Sequence, residues 1–196
     1  MKEKANDEHH VVTIWELDNT PQYELLFRFA YGFVHAALAI LKEQRENNHR
    51  DYFNLMPAHF ALEHGLELFL KGAILLGDTS VTLEKLSSKK FGHSLEELHN
   101  KYRKVYPGDE FEIYHRINEL INWRATINDP RGFSVRYPFD NKGAMYGARN
   151  RMIDVEFEIE ICYEFHDDLI RLEQEIKKAK GVQSYPIEQF KYKSTR

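Results

Sequence analysis

Apolar residues recur at intervals of three and four along most of this chain, and the pattern breaks where capping and turn residues stand. Leu25, Leu26, Phe29, Phe33, Ala36, Ala37, Ile40 and Leu41 form one such stripe. It predicts a helix over roughly 21–45 with that stripe turned inward. Thr20 is in place to cap this helix, and Pro21 suits its first position, where the missing donor is not needed. "ENNHRDYFN" ends it. A second helix is expected from near Pro57 to near Gly77. Leu62, Leu66, Phe69, Ala73 and Leu76 form one side of it, and Ala61, Gly65, Leu68, Gly72 and Leu75 form the adjacent side. Glu63, Glu67 and Lys71 lie four apart and define a narrow wet edge, with Glu67 and Lys71 in the favourable order. Each glycine costs up to about 1 kcal/mol of helix stability against alanine. Gly65 and Gly72 therefore point to close backbone approach by a neighbouring helix or subunit.

Downstream, a short helix is expected over 81–90. Ser94 and Glu97 make a capping box before a helix at about 95–105. Tyr106, Pro107 and Gly108 stop it. Asp109 and Glu112 repeat the box and predict a helix to about 127, with Phe111, Tyr114, Ile117, Leu120 and Ile121 inward. "FSVRYPFD" reads as extended, and Pro138 argues against a central strand. The last segment carries two periods. Ile153, Val155, Phe157, Ile159 and Ile161 alternate like a strand, whereas Phe157, Ile161, Phe165, Leu169, Leu172 and Ile176 repeat like a helix. Length decides for a helix from about 154 to 180, since strands rarely run so far. Asp154 supplies a cap, acids crowd its start, Lys177, Lys178 and Lys180 crowd its end, and Gly181 closes it.

The expected fold is all-α: an antiparallel helical bundle of about five helices with a short extended or hairpin insertion near 133–153. A single domain spans 20–181. Residues 1–19 form an arm, with "VVTIWELD" as a short strand or extended piece, and 182–196 form a tail. With 42% apolar residues, 196 positions suffice for a core without metals or disulfides. The net charge of -4 argues against a whole-surface nucleic-acid binder, so any such contact needs a local patch. A lone cysteine, Cys162, rules out an intrachain disulfide. "MKEKANDEHH" has no apolar run behind its charges. The greasiest windows, near 25–41 and 58–76, contain Arg28, His35, Glu63, Glu67 and Lys71. A cytoplasmic protein without a membrane span is expected.

"ALEHGLELFLKGAILL", "KKFGHSLEELHNKY" and "VRYP" together resemble the HEPN superfamily, the higher-eukaryote and prokaryote nucleotide-binding helical domains. The family's apolar helix with a lysine after Glu-Leu-x-Leu is matched by Glu67, Leu68, Phe69, Leu70 and Lys71. Its Gly-His-x-Leu helix start is matched by Gly92, His93, Ser94 and Leu95, and its Arg-Tyr-Pro element by Arg136, Tyr137 and Pro138. The resemblance covers about 57–140. It implies an antiparallel bundle that forms a homodimer. Many members resemble metal-independent ribonucleases carrying Arg, four to six residues, then His late in the bundle. Here Arg149 and Arg151 meet no histidine until His166, and the Arg28–His35 spacing falls in the first helix. The expectation is therefore a non-catalytic, HEPN-like homodimeric binding or regulatory module. A divergent RNA-cleaving or nucleotide-handling enzyme is one alternative, and a metal-binding helical bundle is another.

No catalytic residue and no cofactor is assigned. Arg136 and Tyr137 are the leading ligand-binding candidates, because an arginine beside a ring holds phosphate and stacks a base. His93, His64 and Lys71 are the others. Lys85, Lys89, Lys90, Lys101, Arg103 and Lys104 form a modest basic patch suited to RNA, a nucleotide or an acidic protein partner. The seven acids between Asp154 and Asp168 could receive that patch from a second subunit. Two Glu-x-x-His pairs, Glu96–His99 and Glu112–His115, supply part of a di-iron inventory. Caps and helix dipoles account for both glutamates without a metal, and no metal ligand is assigned.

Overall fold

A computed structural model describes residues 20–47, 52–88, 91–113, 118 and 154–183. Among them lie five α-helices and no strand: α1 (Gln22–Glu46), α2 (Tyr52–Gly77), α3 (Leu83–Leu86), α4 (Leu95–Val105) and α5 (Val155–Ala179). A 3-10 turn, Asp109–Phe111, follows α4. The all-helical bundle expected from the sequence is therefore present. The insertion near 133–153, with Arg136 and Tyr137, lies outside the described residues, as do the arm over 1–19, Lys89, Lys90 and His115.

α2 contacts each of the other four helices, and α1 packs against α2 and α5. It runs antiparallel to both. Gly72 faces Tyr23 and Gly65 faces Ala30, while Lys177 pairs with Glu24 at one end of α5 and Arg45 approaches Glu156 at the other. The α2 glycines serve this contact within the chain. A Cβ on Gly72 would stand 3.0 Å from the Tyr23 carbonyl oxygen and 3.1 Å from the Phe27 ring. One on Gly65 would stand 3.1 Å from the Ala30 carbonyl oxygen. Phe27 and Phe69 meet across the seam with ring centroids 5.1 Å apart, and Leu66, Leu70, Ile74, Leu169, Leu172 and Ile176 fill the surrounding core.

Five local expectations are corrected. Pro21 itself takes the cap position of α1, where Thr20 was expected. The buried face of α1 is Phe27, Ala30, Tyr31, Val34, Ala37, Leu38 and Leu41, while Phe29 is 54% exposed. α1 is apolar almost all round, so its periodicity fits two faces, and α2 and α5 select between them. By length and composition it could cross a membrane, yet half of its most apolar stretch is buried in the bundle. α2 starts at Tyr52 and carries Pro57 inside its second turn, at the loss of one backbone bond. Finally, α3 is shorter than 81–90, and residues 109–112 form a 3-10 turn and extended backbone rather than the start of the helix expected to run to about 127. Of the later part of that helix only Asn118, which is helical, lies among the described residues. The carbonyl of Phe111 accepts from the Tyr102 hydroxyl at 2.7 Å. Those of Glu110 and Glu112 each accept from the Arg171 guanidinium at 2.7 Å. Side chains therefore occupy the acceptors a helix would need, and Glu112 is extended.

The capping expectations for α4 and α5 hold. Ser94 accepts from the Glu97 amide, and Asp154 accepts from the amides of Glu156 and Phe157. Gly181 ends α5 at φ +62, a conformation open to glycine.

Candidate functional site

The polar edge of α2 is not wet. Glu63, Glu67 and Lys71 are all buried, and Glu67 keeps only 2% of its surface exposed. A buried carboxylate requires partners, and Glu67 has three. Lys71, one helical turn on, donates to Oε1 at 2.7 Å. His93, on the turn leading into α4, brings Nδ1 within 2.9 Å of Oε2 and 3.1 Å of Oε1. His64 Nδ1 stands 3.5 Å from Oε2, in the range of an ion pair.

Local sequence explains how these groups meet. Positions 64, 67 and 71 share one helix face at spacings of three and four. Gly92 takes φ +28, and the Gly92 amide donates to the Ser88 carbonyl at 2.7 Å. That turn places His93 directly before the Ser94 cap and against α2. The His64 ring is held by Phe33, edge-on at 4.6 Å between centroids, and by Phe60, stacked at 5.6 Å.

Burial by itself would raise the Glu67 pKa. The neighbouring His64, Lys71 and His93, with the Lys71 charge, outweigh it and bring the carboxyl from 4.5 to about 2. Glu67 is thus an anion that can only accept hydrogen bonds. His93 must place its proton on Nδ1, which leaves Nε2 as the nitrogen available to a ligand. The His93 side chain is 48% exposed. The edge therefore presents one oriented imidazole to solvent above a sealed Glu67–Lys71 pair.

Three of the five ligand candidates, His93, His64 and Lys71, converge on one carboxylate. Sequence reasoning treated Glu67 as half of a surface pair and missed its position at the centre. The signal lay in the Gly92–His93 turn and in the two histidines placed to reach the same acid. The basic patch is partly engaged: Lys101 pairs with Asp78 at 2.5 Å, and Lys85 donates to the Ser80 carbonyl at 3.0 Å. The di-iron inventory does not assemble among the described residues. Glu96 and Glu112 are exposed, and His99 stacks on Tyr102. No group of three or more His, Cys, Asp or Glu there is placed to hold a metal ion.

A second buried polar cluster sits between α1 and α5. Lys177, 1% exposed, bridges Glu24 at 2.7 Å and Glu173 at 2.5 Å. The Tyr31 hydroxyl donates to Glu173. Burial, then the charge and hydrogen bond of Glu173, push the Tyr31 pKa well above 10. The burial that would lower the Lys177 pKa is outweighed by its two carboxylates, which raise it. Beside this cluster His166 meets the edge of Tyr31 and the tilted ring of His35. Comparison with family models, curated proteins and solved structures gives no match for this chain.

Proposed function

We propose that this chain is a HEPN-like, non-catalytic homodimeric module that binds a phosphate-bearing ligand, a nucleotide or RNA, at the Glu67 edge. The observation that carries the reading is the fixed, half-exposed His93 held by the ionised Glu67. An imidazole with its Nδ1–H tied to a carboxylate offers Nε2 to a phosphate when protonated, and its ring offers a face to a base. Neither the Ser94 hydroxyl nor the Cys162 thiol is set up as a nucleophile, which favours binding over covalent catalysis at these two groups. The Ser94 hydroxyl accepts from the Glu97 amide. Burial pushes the Cys162 thiol up to about 12. Titration calorimetry with nucleoside monophosphates and a short single-stranded RNA tests the reading. Saturable binding that weakens at least about tenfold, near 1.4 kcal/mol, in His93→Ala is expected. Equal affinity in wild type and variant would overturn it.

The pairing of two histidines with one carboxylate favours a second reading, a divergent RNA-cleaving enzyme using His93 and His64 as acid and base. Cleavage of the same RNA, abolished in both His93→Ala and His64→Ala, would select it over the first.

A further inference from the structure

Within α1 the buried arc is occupied by α2 and α5, and the opposite arc carries Leu25, Phe29, Gly32, Ala36, Ala39 and Ile40. Phe29 is one of two large apolar side chains more than a third exposed among the described residues. A Cβ on Gly32 would meet nothing within 4 Å. Ala36 and Ala39 are exposed, and Leu25 and Ile40 are half-buried. No charged residue interrupts this arc between Arg28 and Lys42. Exposed apolar surface of this kind is unfavourable unless something covers it.

We propose that a second copy of this chain covers it, through an antiparallel pairing of α1 with α1 about a two-fold axis between Gly32 and Ala36. The inference rests on the homodimeric part of the proposed function and assigns it a surface. Three features select a second copy as the occupant. The face is self-complementary in size. With the axis there, Phe29 of each copy meets Ala36 and Ala39 of the other, and Gly32 lets the backbones approach at the crossing. The charges bordering it are complementary in the same arrangement. Arg28 edges one end, held among the described residues by a 3.7 Å approach to Glu24. Glu43, exposed and with no side-chain hydrogen bond or ion pair among the described residues, lies at the other end. An antiparallel copy brings Arg28 of one chain within a helical turn of Glu43 of its partner, twice over. Lastly, a helix pair of this length buries on the order of 1,000 Å², the lower edge of what a specific interface needs. The face therefore fits a reversible dimer better than a permanent one.

Ala36→Glu and Ala36→Arg, each exposed and outside the core, are the test variants. Sedimentation equilibrium of the full chain reads the association, and circular dichroism confirms the helical fold of each variant. The expected result is a wild-type dimer, at least tenfold weaker self-association in each variant, and recovery of dimer when the two variants are mixed. A wild-type dimer that neither substitution weakens would overturn this assignment, while leaving a homodimer through another surface. A wild-type monomer would overturn both the assignment and the homodimeric reading. Flotation of that monomer with phosphatidylcholine vesicles, lost in Ala36→Glu, would identify a lipid surface as the occupant instead.

Discussion

Two buried Glu–Lys pairs, each one helical turn apart, make a natural comparison. Glu173–Lys177 on α5 recruits a second carboxylate, Glu24, and the Tyr31 hydroxyl, and all four side chains are buried. Glu67–Lys71 on α2 recruits two histidines, one of them half-exposed. The same sequence spacing thus yields a closed cluster in one place and an open one in the other. What differs is the third partner. An acid and a phenol from α1 complete the first within the protein, whereas an imidazole with one nitrogen left over gives the second somewhere to meet a ligand. A buried ion pair is poor support for stability or for function taken alone. What its remaining partners can still bind separates the two cases.

The largest expected effect comes from breaking the closed cluster. Lys177→Met leaves two buried carboxylates without their cation and should destabilise the fold by about 3–5 kcal/mol in urea denaturation. Glu67→Gln should cost less, about 2–3 kcal/mol, because the amide oxygen still accepts from Lys71 and His93 is partly solvated.

Opposite pH limits sharpen the contrast. The Glu67 pKa is depressed to about 2 from 4.5, so its contribution is present above pH 4.5 and is lost as pH falls towards 2. Tyr31 and Lys177 both hold their protons above their ordinary values of 10.0 and 10.5. Their contribution is complete below pH 10 and fades as pH rises beyond it, because the unfolded chain then releases protons that the folded chain keeps. Hydrogen exchange should therefore show α2 and the His93 turn loosening first in acid, and the α1–α5 seam loosening first in base. A reversed order would break the comparison.

The helix bounds and caps of α4 and α5 were legible because they rest on local chemistry. Ser94 and Asp154 each satisfy amides within three residues. The buried face of α1 was not, because a helix apolar on nearly every side has no unique inward stripe. The polar edge of α2 was read as wet for a related reason. Glu67 meets His93, 26 residues away in sequence, and no periodicity reports such a contact. The displaced helix start at Asp109 has the same origin, since Tyr102 and Arg171 reach from other helices to the carbonyls of residues 110–112. Within the site, the residue types were legible and their common centre was not.

Smaller effects distinguish the glycines. Gly72→Ala should lose about 1–3 kcal/mol, because the added methyl meets the Tyr23 carbonyl and the Phe27 ring. Gly32→Ala meets open space within its own chain and, at concentrations too low for self-association, should gain about 1 kcal/mol from helix propensity. Thermal denaturation of the two variants measures the difference. His93→Ala should change stability least, by less than about 1 kcal/mol, since its ion pair is partly exposed.

The most direct measurement is nitrogen NMR of histidine-labelled protein during titration with a nucleoside monophosphate. The account predicts that His93 carries its proton on Nδ1 in the free protein and that its Nε2 resonance shifts saturably as ligand is added. A His93 with its proton on Nε2, or one unmoved at any ligand concentration, would contradict it.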